Sequence, residues 1–148
     1  MTSRQGLRIA RLSVEASIIL LFLQLLLGMW ANLFASFPIP LQGVNPFDQI
    51  FTEGPALLVL HVIVGLLLGI LAIVGLVASV YARNRGLVVL EAGALVSVLV
   101  AGESGIEFVL GGYQEDLFSY TMTVGYVLLL VIYTWTSMRI GRRERPSA

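Results

Sequence analysis

The chain has 148 residues, of which 57% are hydrophobic and 12% charged, and its mean hydropathy is +0.91. This composition is too apolar for a soluble domain of this size and favours an integral membrane protein. The zero formal net charge gives no indication of a nucleic-acid partner, and the lack of cysteine excludes disulfides, thiolate metal sites and covalent haem attachment through cysteine.

Four long apolar segments predict four transmembrane helices, because about 20 apolar residues are enough to cross a bilayer. We predict these helices at residues 12–37, 55–81, 87–110 and 117–138, with a basic segment at 1–11 and a disordered basic tail at 139–148. The outer connection, 38–54, is rich in proline and glycine, so we expect no regular helix there. Its apolar side chains would let it lie on the membrane surface or cap the bundle. The predicted fold is an all-α antiparallel four-helix membrane bundle.

All nine basic residues are arginines, and they fall on one side of the four segments. They are Arg4, Arg8, Arg11, Arg83, Arg85, Arg139, Arg142, Arg143 and Arg145. The two connections at the opposite side carry only acidic residues. Because cationic loops are retained in the cytoplasm, the pattern predicts a multi-pass protein of the cell membrane with both termini cytoplasmic.

Two glutamates lie close to the predicted cytoplasmic boundary, in similar short contexts, Val14-Glu15-Ala16 and Leu90-Glu91-Ala92. Glu15 stands four residues after Arg11, a spacing that brings side chains together on a helix. Glu91 follows Arg85 by six residues. We interpret both glutamates as partners of interfacial ion pairs.

The polar side chains of the outer half are the candidate site, because ionisable groups inside a membrane are costly and need compensation. At about 1.5 Å per residue, His61 lies about 9 Å below the start of its helix. Four antiparallel helices would place further polar groups and a methionine in the same layer. The candidate layer consists of Asn32, His61, Glu103, Ser104, Glu107, Tyr120 and Met122.

Three interpretations of this layer stay open. The one we favour is structural, with His61 hydrogen-bonded to Glu103 or Asn32 across helices. A second is a b-type haem in electron transfer, with His61 as one axial ligand and Met122, Met29 or a second copy of the chain opposite. The third is a metal, cation or proton site formed by His61, Glu103 and Glu107.

The residues that share a helix face with Glu103 and Glu107 indicate what these two glutamates pack against. Glu103 and Glu107 share their helix face with Val96 and Val100, away from a stripe of small residues, Gly93, Ser97 and Ala101. We therefore expect the two glutamates to face a different neighbour from the one that packs on the small-residue stripe, such as another protein.

Residues with the spacing of a nucleophilic triad, a phosphate loop or a dinucleotide-binding turn are not apparent in the sequence. We therefore expect a small accessory or binding subunit, in a larger membrane complex or a homo-oligomer, and not a conventional enzyme.

Short apolar motifs carry a resemblance that extends from the first segment through Tyr133. They are Leu26-Leu27-Gly28-Met29-Trp30-Ala31-Asn32-Leu33, Leu60-His61-Val62-Ile63-Val64-Gly65, and Ser119-Tyr120-Thr121-Met122 with Gly125. With these, the chain resembles small four-span membrane proteins of archaea and actinobacteria, which implies the fold and no particular activity. Half-length haem A synthases are a more distant comparison. They carry a glutamate-rich motif and more than one haem-ligating histidine, so we reject that assignment.

Overall fold

A computed structural model describes residues 1–37 and 43–143, and within them the chain forms five helices and no strands. The helices are α1 (Ser3–Phe34), α2 (Pro46–Glu53), α3 (Ala56–Tyr81), α4 (Arg85–Leu110) and α5 (Asp116–Arg143). Four of them, all except α2, are long and apolar enough to cross a membrane. The predicted all-α four-helix bundle is confirmed.

The four long helices form a ring in which each contacts two others. Helix α1 packs most extensively on α3, and α4 on α5, while α3 contacts α4 less and α1 contacts α5 least. The backbones of the diagonal pairs, α1 with α4 and α3 with α5, do not come within 8 Å of each other, Cα to Cα, within the described residues. The weakest side of the ring is therefore the seam between α1 and α5.

The helices at the arginine side extend further than the apolar segments indicated. Helix α1 begins at Ser3 because Thr2 and Gln5 form a capping box, in which the Thr2 side chain accepts from the Gln5 N–H and the Gln5 side chain accepts from the Thr2 N–H. Helix α5 continues to Arg143, so the expected disorder from residue 139 is wrong as far as 143. The rest of the predicted tail, residues 144–148, lies outside the described residues.

The outer connection contains a helix that we did not predict. Asn45 accepts a hydrogen bond from the N–H of Phe47 at 2.9 Å, and Pro46 occupies the first turn, so both start signals of a helix are present. Ile50 is 1% exposed and packs with Leu58 of α3 and Val109 of α4. The expectation of no regular helix is wrong for this part of the connection, whereas the expected capping of the bundle is observed.

Helix α4 ends where the sequence indicated, at two glycines. Gly111 caps the helix and Gly112 takes a positive φ of 72°, which reverses the chain. The next residue, Tyr113, stacks on Phe37 with ring centroids 4.6 Å apart, and Phe108 packs edge-on against both rings. These aromatic contacts hold the end of α1 against the turn between α4 and α5.

Candidate functional site

His61 points into the bundle, and its hydrogen-bond partner is on α1. The Gln24 side-chain amide is hydrogen-bonded to His61 Nε2 at 3.3 Å, and His61 Nδ1 is buried without a partner. Gly28 makes this approach possible, since a β-carbon there would lie 3.2 Å from the imidazole ring. The expected partners, Glu103 and Asn32, were wrong: both side chains are exposed, and Asn32 lies about two turns further along α1 than Gln24.

The two methionines of the haem interpretation do not lie opposite His61. Met29 follows Gly28 on α1 and is 53% exposed on the outside of the bundle. The Met122 sulfur lies 3.3 Å from the position of a β-carbon on Gly105, so it packs between α5 and α4. The His61 ring itself meets Gln24 and Gly28 of α1.

The remaining residues of the outer layer are spread over the surface. Asn32, Glu103, Glu107 and Tyr120 are exposed, whereas Ser104 is buried and donates to the backbone carbonyl of Val100 at 2.8 Å. Among the described residues, no group of three or more His, Asp or Glu side chains is placed to hold a metal ion. His61, Glu103 and Glu107 are therefore not brought together.

The two glutamates lie instead on an open surface of α4. We call this surface the outer α4 face, and it consists of Val96, Leu99, Val100, Glu103, Ile106 and Glu107, all exposed. The opposite side of α4 packs on α5: Gly93 lies beside Ile132, and Gly125 lies against the backbone of Ser97. The separation of the glutamates from the small-residue stripe, expected from the sequence, is observed.

The inner half of the bundle contains a second polar group, which sequence reasoning missed. Glu91 is 0% exposed, and neither of its carboxylate oxygens has a hydrogen-bond partner. The predicted interfacial ion pair with Arg85 is therefore wrong: Glu91 stands about 9 Å along the helix from Arg85 and faces the bundle, whereas Arg85 is exposed. The matching prediction for Glu15 is confirmed, since Arg11 Nε lies 2.8 Å from its carboxylate.

Glu91, which lies on α4, has neighbours on α3 and α5, and α1 approaches this region through Ser17. A β-carbon on Gly75 of α3 would lie 2.5 Å from Glu91 Oε2, so the carboxyl group rests on the α3 backbone. Tyr133 of α5 is 1% exposed and faces Glu91, and Ser17 of α1 lies beside the Tyr133 hydroxyl without reaching hydrogen-bond geometry. We call Ser17, Ser79, Glu91 and Tyr133 the inner polar group.

The members of the inner polar group share one property: their side-chain oxygens are buried without a partner. Ser79 and Ser17 are both 0% exposed. Ser79 follows Gly75 by four residues and therefore lies on the same face of α3, one turn nearer the arginine side. Buried polar groups are normally hydrogen-bonded, so four unsatisfied side chains in the inner half of the bundle are unusual. The sequence contained a signal of this region, because Gly75 and Ser79 are two small residues four positions apart on α3.

A pocket opens between α1 and α5 at the arginine side of the bundle. It is lined by Arg11, Val14, Glu15, Ser137, Ile140 and Gly141. Val14 and Ile140 are buried at 1% and 2% exposure, and Val14 lies one turn from Ser17 on α1. The pocket therefore lies at the arginine-side end of the seam, about one helical turn from Ser17.

No protein-family model, curated protein or solved structure matches this chain. The resemblance to small four-span membrane proteins stays a prediction, and function has to be inferred from these side chains.

Proposed function

We propose that the protein is a small integral membrane accessory or binding subunit that associates with other membrane spans through the outer α4 face. The observation that carries this proposal is the exposure of Glu103 and Glu107 within a helix apolar enough to span the membrane. Carboxylates that face lipid are costly, and such residues normally face protein or water. A partner span that offers hydrogen-bond donors or a cation at this depth removes that cost.

The surroundings of the two glutamates support association and not an internal site. The rest of the face is apolar, with Leu99 at 60% and Ile106 at 46% exposure, so a partner helix would bury a continuous surface. A second copy of the chain offers two exposed donors in the same layer, the Asn32 amide and the Tyr120 hydroxyl. A homo-oligomer and a larger complex with another membrane protein both fit this chemistry.

The location that fits this function is the cell membrane, with both termini in the cytoplasm. The arginine positions of the described residues lie at one end of the bundle: the start of α1 packs on the end of α3 at Ala78 and Ala82, and Arg139 of α5 lies beside Gly86 of α4. The retention of cationic loops in the cytoplasm supports this orientation.

The test uses single cysteines, which are unique because the natural chain has none. Ile106→Cys places a thiol on the outer α4 face, and Ile63→Cys is the matched control on α3, at 41% exposure against 46%. We expect a thiol-reactive cross-linker in native membranes to produce an adduct with Ile106→Cys and not with Ile63→Cys. The adduct's mass distinguishes a second copy from another protein.

A second variant tests the role of the carboxylates. Replacing both Glu103 and Glu107 by leucine in the Ile106→Cys background removes the cost of exposing carboxylates to lipid, and we expect the adduct to diminish. Equal labelling of both cysteine variants with no adduct from either would contradict the proposal.

A further inference from the structure

We propose that Glu91 is a proton-binding site inside the bundle, in exchange with the aqueous phase at the arginine side through the seam between α1 and α5. This site is separate from the outer α4 face, and the proposal does not depend on the association proposed there. It begins from the inner polar group, whose four side chains come from four different helices and are all at most 1% exposed.

The proton is the ligand that the packing of Glu91 favours. An ionised carboxylate buried without a cation or donors is very unfavourable, so a group in this position neutralises. The carboxyl group lies so close to Gly75 that a methyl group there would have no room. A proton needs no additional volume, whereas a metal cation needs space and several oxygen ligands.

The groups around Glu91 leave its charge without a fixed partner. On α3 it meets Gly75, which is not ionisable, and on α5 it interacts with Tyr133. Arg11, the nearest cation on α1 along the seam, pairs with Glu15 at 2.8 Å. Loss of the proton would leave a carboxylate that hydroxyl donors can stabilise, and the Tyr133 hydroxyl is available because it has no partner.

The seam between α1 and α5 provides a route for the proton. The pocket at its mouth is lined by the Arg11–Glu15 pair and Ser137. Between the mouth and Glu91 lie Ser17 and Tyr133, whose unpartnered hydroxyls can both donate and accept. This is also the side of the ring where the helices contact each other least. A proton from water at the mouth can therefore reach the Glu91 carboxylate and return without crossing the apolar faces of α3 and α4.

The decisive measurement is infrared spectroscopy of the whole protein in lipid vesicles as the pH is varied. We expect the carbonyl stretching band of a protonated carboxylic acid to disappear reversibly as the pH rises. Glu91→Gln, which keeps the size and the neutral form, should lack this band from the start. Glu15→Gln and Glu103→Gln, which alter exposed glutamates, should keep it. Tyr133→Phe should move the midpoint of the titration to higher pH, because the carboxylate loses its donor.

Three outcomes would overturn the assignment. A band that stays unchanged at every pH in the wild-type protein would make Glu91 a permanently neutral structural group. Equal bands in the wild type and in Glu91→Gln would place the titrating group elsewhere. Loss of the band on adding sodium chloride at constant pH would show that a metal cation, and not only a proton, occupies the site.

The route is tested by the rate of exchange after a rapid pH change. Ser137→Trp fills the pocket, and Met138→Trp is the matched control, since Met138 is 57% exposed and is not part of the pocket lining. We expect the band to respond more slowly in Ser137→Trp and at the wild-type rate in Met138→Trp. Equal rates in both variants would contradict access through this seam.

Discussion

His61 and Glu91 show how two ionisable residues in the same bundle reach different environments. His61 meets Gln24 at a close crossing of α1 and α3, which the small residue Gly28 permits. Glu91 meets the α3 backbone at Gly75, where no donor is available. The first residue therefore contributes an interhelical hydrogen bond, and the second contributes a proton-binding group whose burial has to be offset by packing elsewhere.

We predict that His61→Ala lowers the free energy of unfolding by about 1–2 kcal/mol, since interhelical hydrogen bonds in membrane proteins are of this order. A double-mutant cycle with Gln24→Leu, measured by unfolding in mixed micelles, should give a coupling energy of about 0.6 kcal/mol and at most about 1.7. Additive effects of the two substitutions would contradict the hydrogen bond. A Soret band in the purified protein, lost in His61→Ala, would restore the haem interpretation.

The contacts of single side chains could be predicted from the sequence where both partners lie close together on one helix. The Arg11–Glu15 pair follows from a spacing of four residues on one helix, and the structure has it. The partners of His61 and the burial of Glu91 depend on how the helices are rotated about their axes, which short apolar motifs do not determine. The sequence therefore identified which polar residues needed an explanation but not which of them meet.

The existence and order of the long helices were predictable because the apolar segments are long and uninterrupted. Their ends were less predictable, since Thr2 and Gln5 extend α1 beyond the apolar segment by capping. Helix α2 was missed although Asn45 and Pro46 are ordinary start signals, because the proline and glycine content of the connection outweighed them.

The packing of α5 on α4 depends on a glycine, and this gives a prediction for the helix pair. A β-carbon at Gly125 would lie 2.9 Å from the backbone oxygen of Ser97 and 3.0 Å from Ala101 Cβ. Because backbone cannot move aside as a flexible side chain can, Gly125→Ala should destabilise the protein by about 1–3 kcal/mol, as overpacking does.

The matched control is Gly141→Ala on the same helix, where a β-carbon would meet nothing within 4 Å. Unfolding of the two variants in mixed micelles should show a lower midpoint for Gly125→Ala and an unchanged or higher midpoint for Gly141→Ala, because alanine favours helix over glycine. Equal stability of both variants would contradict the close contact of α4 with α5.

Three chemically different regions follow one another along the axis of the helix bundle. The arginine end carries the pocket, the inner polar group lies below it inside the ring, and the outer half presents the two glutamates of the outer α4 face. A proton site that opens toward one side and a docking surface near the other do not overlap, so their variants should affect different measurements.

The orientation of this axis gives the last prediction. Because all nine basic residues are arginines on one side of the spans, we expect the arginine end in the cytoplasm. Ser3→Cys and Gly141→Cys mark the arginine end. Val44→Cys and Gln114→Cys mark the opposite end. All four positions are exposed. In intact cells, a membrane-impermeant thiol reagent should label the second pair only, and after permeabilisation it should label all four. Labelling of Ser3→Cys in intact cells would reverse the topology and place the mouth of the seam outside the cell. Labelling of only one variant of the second pair would contradict the two spans, α3 and α4, that separate Val44 from Gln114.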